Sequence, residues 1–200
     1  MNITKKIRGI FYKCINAPIN MLRFGQFGKS SVLEKYAKID SPKRIYIGSK
    51  VLIASNAWLA AEPLTGNNNC KLIIGDGTYI GRFSHIYSTS LINIGKKVLI
   101  ADKVYISDNL HGYKNVALPI IDQPIEQQKE VCIGEGSWIG ENVCIIGANI
   151  GKHCVIGANA VVSKNIPDYC VAVGIPAKIV KRYNFELQQW QNVNAQNEFL

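Results

Sequence analysis

Aliphatic residues recur every six positions through most of this chain, and that spacing excludes most folds. Five triplets carry it: Ile47, Ile53 and Leu59; Ile74, Ile80 and Ile86; Ile94, Ile100 and Ile106; Ile133, Ile139 and Ile145; Ile150, Ile156 and Val162. An α-helix needs an apolar spacing near about 3.6 and a lone strand a spacing of about 2. A step of six fits short strands separated by bends. The residue after the aliphatic one is usually small, as at Gly48, Ala54, Gly75, Gly81, Gly95, Ala101, Gly134, Gly140, Gly151 and Gly157, which suits a bend. Four positions after it comes a small or β-branched residue, such as Val51, Ala57, Thr78, Ser84, Val104 or Val143. Each strand therefore sends one large and one small residue inward. Stacked coils bury the aliphatic ladder and pair their backbones with the coils above and below. The expected class is all-β, a parallel β-helix of hexapeptide repeats. A sandwich of alternating strands would not hold small residues at fixed places in the hexad.

The repeat is interrupted in four places. Residues 62–69 read as a loop, with Pro63, Gly66 and three asparagines. Two residues are inserted between Ile86 and Ile94. A long excursion over about residues 108–130 contains Pro119 and Pro124 and little hexad signal, and Ile145 to Ile150 is one residue short. A long irregular segment leaving a rigid scaffold is commonly functional.

Charge divides the chain. Its net charge is +9, yet residues 1–44 hold ten Lys/Arg against two Asp/Glu, or +8, leaving +1 for residues 45–200. A nucleic-acid face spread over the body is not expected. The organisation that follows is a basic N-terminal segment over residues 1–44, a β-helix over 45–182 and a Gln/Asn-rich tail over 183–200 containing a short helix. Ile3, Ile7, Ile10, Phe11 and Ile15 interleave with Lys5, Lys6, Arg8 and Lys13 as in a basic amphipathic helix. Such a helix suits capping of the first coil, contact with an anionic membrane surface, or both. No apolar run is long enough to cross a bilayer. Lys13 breaks the run that a secretory leader would need. A cytoplasmic protein, peripheral at the membrane face if the helix binds lipid, is the expectation. The six cysteines lack metal-ligand or C-x-x-C spacing and read as free thiols.

Histidines are few: His85, His111 and His153. His111 follows Ser107-Asp108-Asn109-Leu110 where the last regular hexad opens into the excursion. An imidazole at the junction of a rigid strand and a loop is well placed as a general base near neutral pH. His85 and His111 lie four hexad steps apart, which assigns them to different faces of the helix.

These segments resemble the hexapeptide-repeat acyltransferases, and in particular bacterial polysaccharide and lipopolysaccharide O-acetyltransferases. The likeness is carried by Ser107-Asp108-Asn109-Leu110-His111-Gly112, by Val131–Gly140, by Ile156–Pro167 and by Val173-Gly174-Ile175-Pro176-Ala177-Lys178-Ile179-Val180-Lys181. It covers about residues 45–183. Ser107, Asp108, His111 and Gly112 match a Ser-Asp-His-Asn-His-Gly form, and Asn109 and Leu110 depart from it. The resemblance implies a left-handed, three-sided coil and a homotrimer. It also implies acetyl-CoA as acyl donor and direct transfer to a sugar hydroxyl, with no metal and no covalent acetyl-enzyme. His111 is then the base. Asp108 either orients the imidazole or joins Asn109, Tyr113 and His85 in holding the acceptor. Gly140 and Ala158 meet the pantetheine arm and thioester, Trp138 packs near that arm, and Lys164, Lys178 and Lys181 meet the CoA phosphates. Three alternatives stay open: N-acetylation of an amino sugar or antibiotic, a histidine-bound metal as in gamma-type carbonic anhydrases, and a non-catalytic scaffold.

Overall fold

The computed structural model describes residues 17–200. The proposed amphipathic stretch over Ile3–Ile15 lies outside the described residues. From Gln26 the chain winds into a three-faced parallel β-helix. Face A is built from Gln26–Phe27, Ile45–Ile47, Lys71–Ile74, Leu91–Ile94 and Val131–Ile133. Face B continues from Val32–Leu33 through Leu52–Ile53, Tyr79–Ile80, Leu99–Ile100, Trp138–Ile139 and Val155–Ile156 to Cys170–Val173. Face C runs from Lys38–Asp40 through Trp58–Ala61, His85–Ser88, Tyr105–Ser107 and Cys144–Ile146 to Val161–Val162.

The six-residue step becomes three vertical ladders. Ile47, Ile74, Ile94, Ile133, Ile150 and Ile166 stack under face A. Ile53, Ile80, Ile100, Ile139 and Ile156 stack under face B, and Leu59, Ile86, Ile106, Ile145 and Val162 under face C. All are buried in one core. The corners explain the small residues. A Cβ on Gly75 would sit 2.6 Å from the Gly95 carbonyl carbon, so neighbouring coils leave no room for one. Two positions further on, corners turn through left-handed backbone, as at Lys50, Gly77, Lys97, Lys103, Asn142 and Asn159. That conformation is strained for all but glycine and, less severely, asparagine.

The helix begins one coil earlier than the repeat suggests. Phe27, Leu33 and Ile39 keep the six-residue step and pair with Ile47, Ile53 and Leu59. A phenylalanine in the aliphatic place hides that coil from a search for Ile, Leu and Val. The helix Ala17–Arg23 lies against its end, burying Asn20 and leading into buried Phe24 and Phe27, whose rings are 5.4 Å apart. The other end differs from expectation. The short helix expected in the tail is absent, and Lys178–Asn184 and Gln189–Asn192 form antiparallel strands on Cys170–Val173. The last coil has a row of unpaired backbone groups, and a strand satisfies it where a helix could not.

The loop 62–69, the insertion at Thr89-Ser90 and the excursion after Ser107 all leave the corner between faces C and A, in successive coils. The excursion is not irregular throughout: Asn109–His111 pairs antiparallel with Ile125–Gln127, making a two-stranded arm.

Because each ladder rung has neighbours on both sides, deleting one leaves a cavity that the rigid coils cannot close. Ile86→Ala is expected to lower stability by ~2–5 kcal/mol, read as a shift in the urea unfolding midpoint.

Candidate active site

The base of the arm is organised by one buried carboxylate. Asp108 is fully buried. It accepts hydrogen bonds from the backbone N–H groups of Thr89 (2.7 Å) and Ser90 (2.8 Å) and from Asn109 Nδ2 (3.1 Å). The hydroxyls of Ser88 and Thr89 lie 3.0 and 3.1 Å away. A buried carboxylate without a cation survives only with its lone pairs satisfied in this way. The Asp108 carbonyl in turn accepts from Gln127 Nε2 (2.6 Å) and Gln128 N–H (2.8 Å), which ties down the returning strand. Gln127 Oε1 receives Thr65 Oγ1 at 2.7 Å from the coil below. Three insertions in three successive coils thus meet at one node.

Asp108 and Asn109 are both turned into the base of the arm. The oxygens of Asp108 are occupied by the 88–90 segment and Asn109, and none of these bonds is to His111. Asn109 is also buried, and its amide spans Tyr87 O (3.2 Å) and Asp108. Both hold the arm. His111 is exposed on it, opposite Ile125 and on the same side of the ribbon as Asn109. Gly112 follows, its N–H bonded to Pro124 O, and a Cβ there would lie 2.6 Å from that oxygen. Tyr113 is exposed beyond it.

His85 belongs to a cluster that the repeat pattern did not disclose. It stands on face C in register between Trp58 and Tyr105. Its ring stacks on Trp58 at 4.0 Å with 4° between planes, and Tyr105 and Tyr87 meet it edge-on at 5.3 and 5.9 Å. Trp58 donates to Asp40 Oδ2 at 2.7 Å, and Lys38 lies over the indole at 3.7 Å. Nε2 of His85 is buried without a hydrogen-bond partner. Burial, and then the Lys38 charge, hold its pKa below the ordinary histidine value. The signal for Trp58 and Tyr105 was present: each precedes an inward aliphatic, so each points outward.

The residues expected to meet the donor fall in two places. Trp138 and Lys181 share one outward column of face B with Leu99, Val155 and Val171. Gly140 and Ala158 stack at the corner between faces B and C, where a Gly140 Cβ would lie 2.6 Å from Ala158 N. Lys178 pairs with Val173 at the end of face B. Lys164 stands apart from these, exposed at the corner between faces C and A, two coils beyond the arm. Within one chain, the width of face C separates His111 from Gly140 and Ala158. A groove of about 820 Å³ on face A, lined by Asn93, Cys132, Asn149 and Asn165, contains none of these residues.

Among the described residues, no cysteine is prepared as a nucleophile. Burial raises the thiols of Cys70, Cys144 and Cys170, and pushes Cys154 up to about 11. Among the described residues, no group of three or more His, Cys, Asp or Glu is arranged to hold a metal ion.

No family model matches the chain. WbbJ of Escherichia coli K12, named for O-acetyl transfer in lipopolysaccharide biosynthesis, is 37% identical over 127 residues, covering 60% of this chain and 65% of that protein. Rv3034c of Mycobacterium tuberculosis H37Rv, named as an acetyltransferase, is 46% identical over 112 residues, covering 56% and 37%. The chain thus spans less than two thirds of either relative. The solved structure of AntD, an N-acyltransferase from Bacillus cereus in complex with dTDP and 3-hydroxybutyryl-CoA, matches with a TM-score of 0.72 at 20% identity. That match covers 86% of this chain and 90% of AntD. The shared fold is the left-handed parallel β-helix. In sequence the chain is similar to acetyltransferases, and in architecture to an acyltransferase.

Two results are expected from the site. Asp108→Ala strands the Thr89 and Ser90 N–H groups in a dry cavity at about 1–3 kcal/mol each. A loss near ~3 kcal/mol is therefore expected, with amide exchange over 109–127 accelerating more than in the core. His85 is expected to titrate below the usual ~6.5 by NMR. The unfolded chain gains its proton near that pH and the folded chain does not, so stability is full above it and declines as pH falls below it. His85→Phe should remove that part of the decline.

Proposed function

We propose that the chain is an acetyl-CoA-dependent O-acetyltransferase. Its acceptor is a sugar hydroxyl of bacterial surface polysaccharide or lipopolysaccharide. The observation that carries this reading is His111 itself: an exposed imidazole on an arm whose base is pinned by the Asp108 node. The node supplies rigidity, and general-base catalysis needs it because proton transfer requires a fixed approach. The similarity to WbbJ supports the acceptor class.

The arm and the Trp138 column lie on different sides of one protomer, so a single chain does not assemble the site. The column Leu52, Tyr79, Leu99, Trp138, Val155 and Val171 is apolar, with Leu99 and Trp138 about half exposed. A second copy would cover it and bring its own arm beside it, which a closed trimer achieves three times over. Acetyl-CoA would then lie between protomers, with Trp138 beside the pantetheine arm and Gly140 and Ala158 near the thioester. Lys178 and Lys181 would supply cations to its phosphates. Lys164, at the opposite corner, reaches the same ligand only from a neighbouring chain.

In the reaction, neutral His111 takes the proton of the acceptor hydroxyl as its oxygen bonds to the acetyl carbonyl carbon. The carbonyl π electrons move to oxygen, and that oxyanion is held by a preorganised N–H donor. Collapse breaks the carbon–sulfur bond, and the thiolate recovers the proton from the imidazolium. Water must be kept out, and the half-buried aromatic rings of face C beside the arm serve that end.

Thiol release from acetyl-CoA, measured over sugar, nucleotide-sugar and amine acceptors, tests the proposal. Amines belong in the panel because AntD is an N-acyltransferase. Release is expected with hydroxyl acceptors, falling about 10²–10⁴-fold in His111→Ala while molar mass stays that of a trimer. Full activity in that variant would refute the role of His111, and preference for amines would transfer the reading to N-acetylation.

A further inference from the structure

In a solenoid, sequence position is position along the axis, so an uneven charge sequence becomes a polarised rod. Residues 17–44, with six Lys/Arg against two Asp/Glu, or +4, lead into and form the first coil. The far end is less basic: residues 178–200 hold Lys178, Lys181 and Arg182 against Glu186 and Glu198, or +1. The basic end is also the end with exposed apolar groups. On the helix Ala17–Arg23, Asn20 faces inward, while Ile19 is 54%, Met21 47% and Leu22 78% exposed. Tyr36, at a corner of the first coil, is 82% exposed. Arg23, Lys29 and Lys35 are exposed at the same end, with one exposed carboxylate, Glu34, between the last two.

We infer that this end of the β-helix docks on an anionic lipid bilayer. Exposed aliphatic side chains at a net-positive end match the two layers such a surface offers, an acyl boundary under negative headgroups. Exposed tyrosine is favoured at that depth. A nucleic acid would use the cations but gives Ile19, Met21 and Leu22 nothing to bury against. A second copy of the chain would cover the aliphatics but would bring like charges together. Lys5, Lys6, Arg8 and Lys13 precede the helix in sequence. The inference does not depend on acetyl transfer.

The chain of residues 1–200, mixed with sucrose-loaded vesicles of phosphatidylcholine alone or with about a third phosphatidylglycerol, provides the test when sedimented. Binding is expected only to the anionic vesicles and should fall steeply with salt. Lys29→Glu with Lys35→Glu should weaken it, at roughly fivefold for each cation lost. Ile19→Ser, Met21→Ser and Leu22→Ser together should weaken it at least tenfold with the unfolding midpoint and molar mass unchanged. Equal binding to both vesicle types, or undiminished binding by the triple variant, would overturn the proposal. So would a triple variant of altered molar mass that still sediments with vesicles, which would make this face a subunit contact. Binding to a single-stranded oligonucleotide with none to vesicles would overturn it in favour of nucleic acid.

Discussion

Everything in this molecule depends on the in-register pairing of one coil with the next. Each coil satisfies its backbone N–H and C=O groups only by aligning with its neighbours, and alignment stacks like residues on like. The inward ladders of isoleucine are one result. The outward columns are another: Trp58, His85 and Tyr105 on face C, and Leu99, Trp138 and Val155 on face B. A solenoid cannot place a group on its surface without placing it directly above and below others. Its chemistry is therefore assembled by column rather than by sequence proximity.

Stacking also governs where irregularity is tolerated. An insertion within a face would shift every later rung, whereas one at a corner leaves the register intact. The chain puts its insertions at a single corner in three consecutive coils, and their polar backbone needs partners. Asp108 supplies them, because one buried carboxylate can accept from several N–H groups that no strand reaches. The His111 arm is thus held by the device that makes its insertion possible. The two ends solve the same problem differently: the helix Ala17–Arg23 and Phe24 cover apolar side chains, and the 178–192 strands cover open backbone.

Much of this was legible beforehand. The hexads from Ile47 to Val162 defined the core, because a period of six has no other economical structure. His111 stood out because it sits where the period ends. Less accessible were the coil headed by Phe27, which substitutes an aromatic for an aliphatic, and the tail, whose Gln/Asn-rich composition is neutral between helix and strand. Asp108 was read as part of a reacting site because its neighbours in sequence suggested one. The backbone groups that bond to it, of Thr89 and Ser90, lie one coil earlier and are brought to it only by stacking.

The sequence by itself determined the repeat, the bends, the interruptions and the concentration of positive charge in the first 44 residues. These are local properties, set by side-chain size and spacing, and each can be read without knowing what lies alongside. Tertiary structure alone decided that three interruptions share a corner and that Asp108 is sealed beneath the arm. It also decided that His85 stacks half-buried on Trp58, and that Lys181 joins Trp138 while Lys164 does not. Those outcomes depend on the register between coils some twenty residues apart, and that register is fixed when backbone hydrogen bonds close between them.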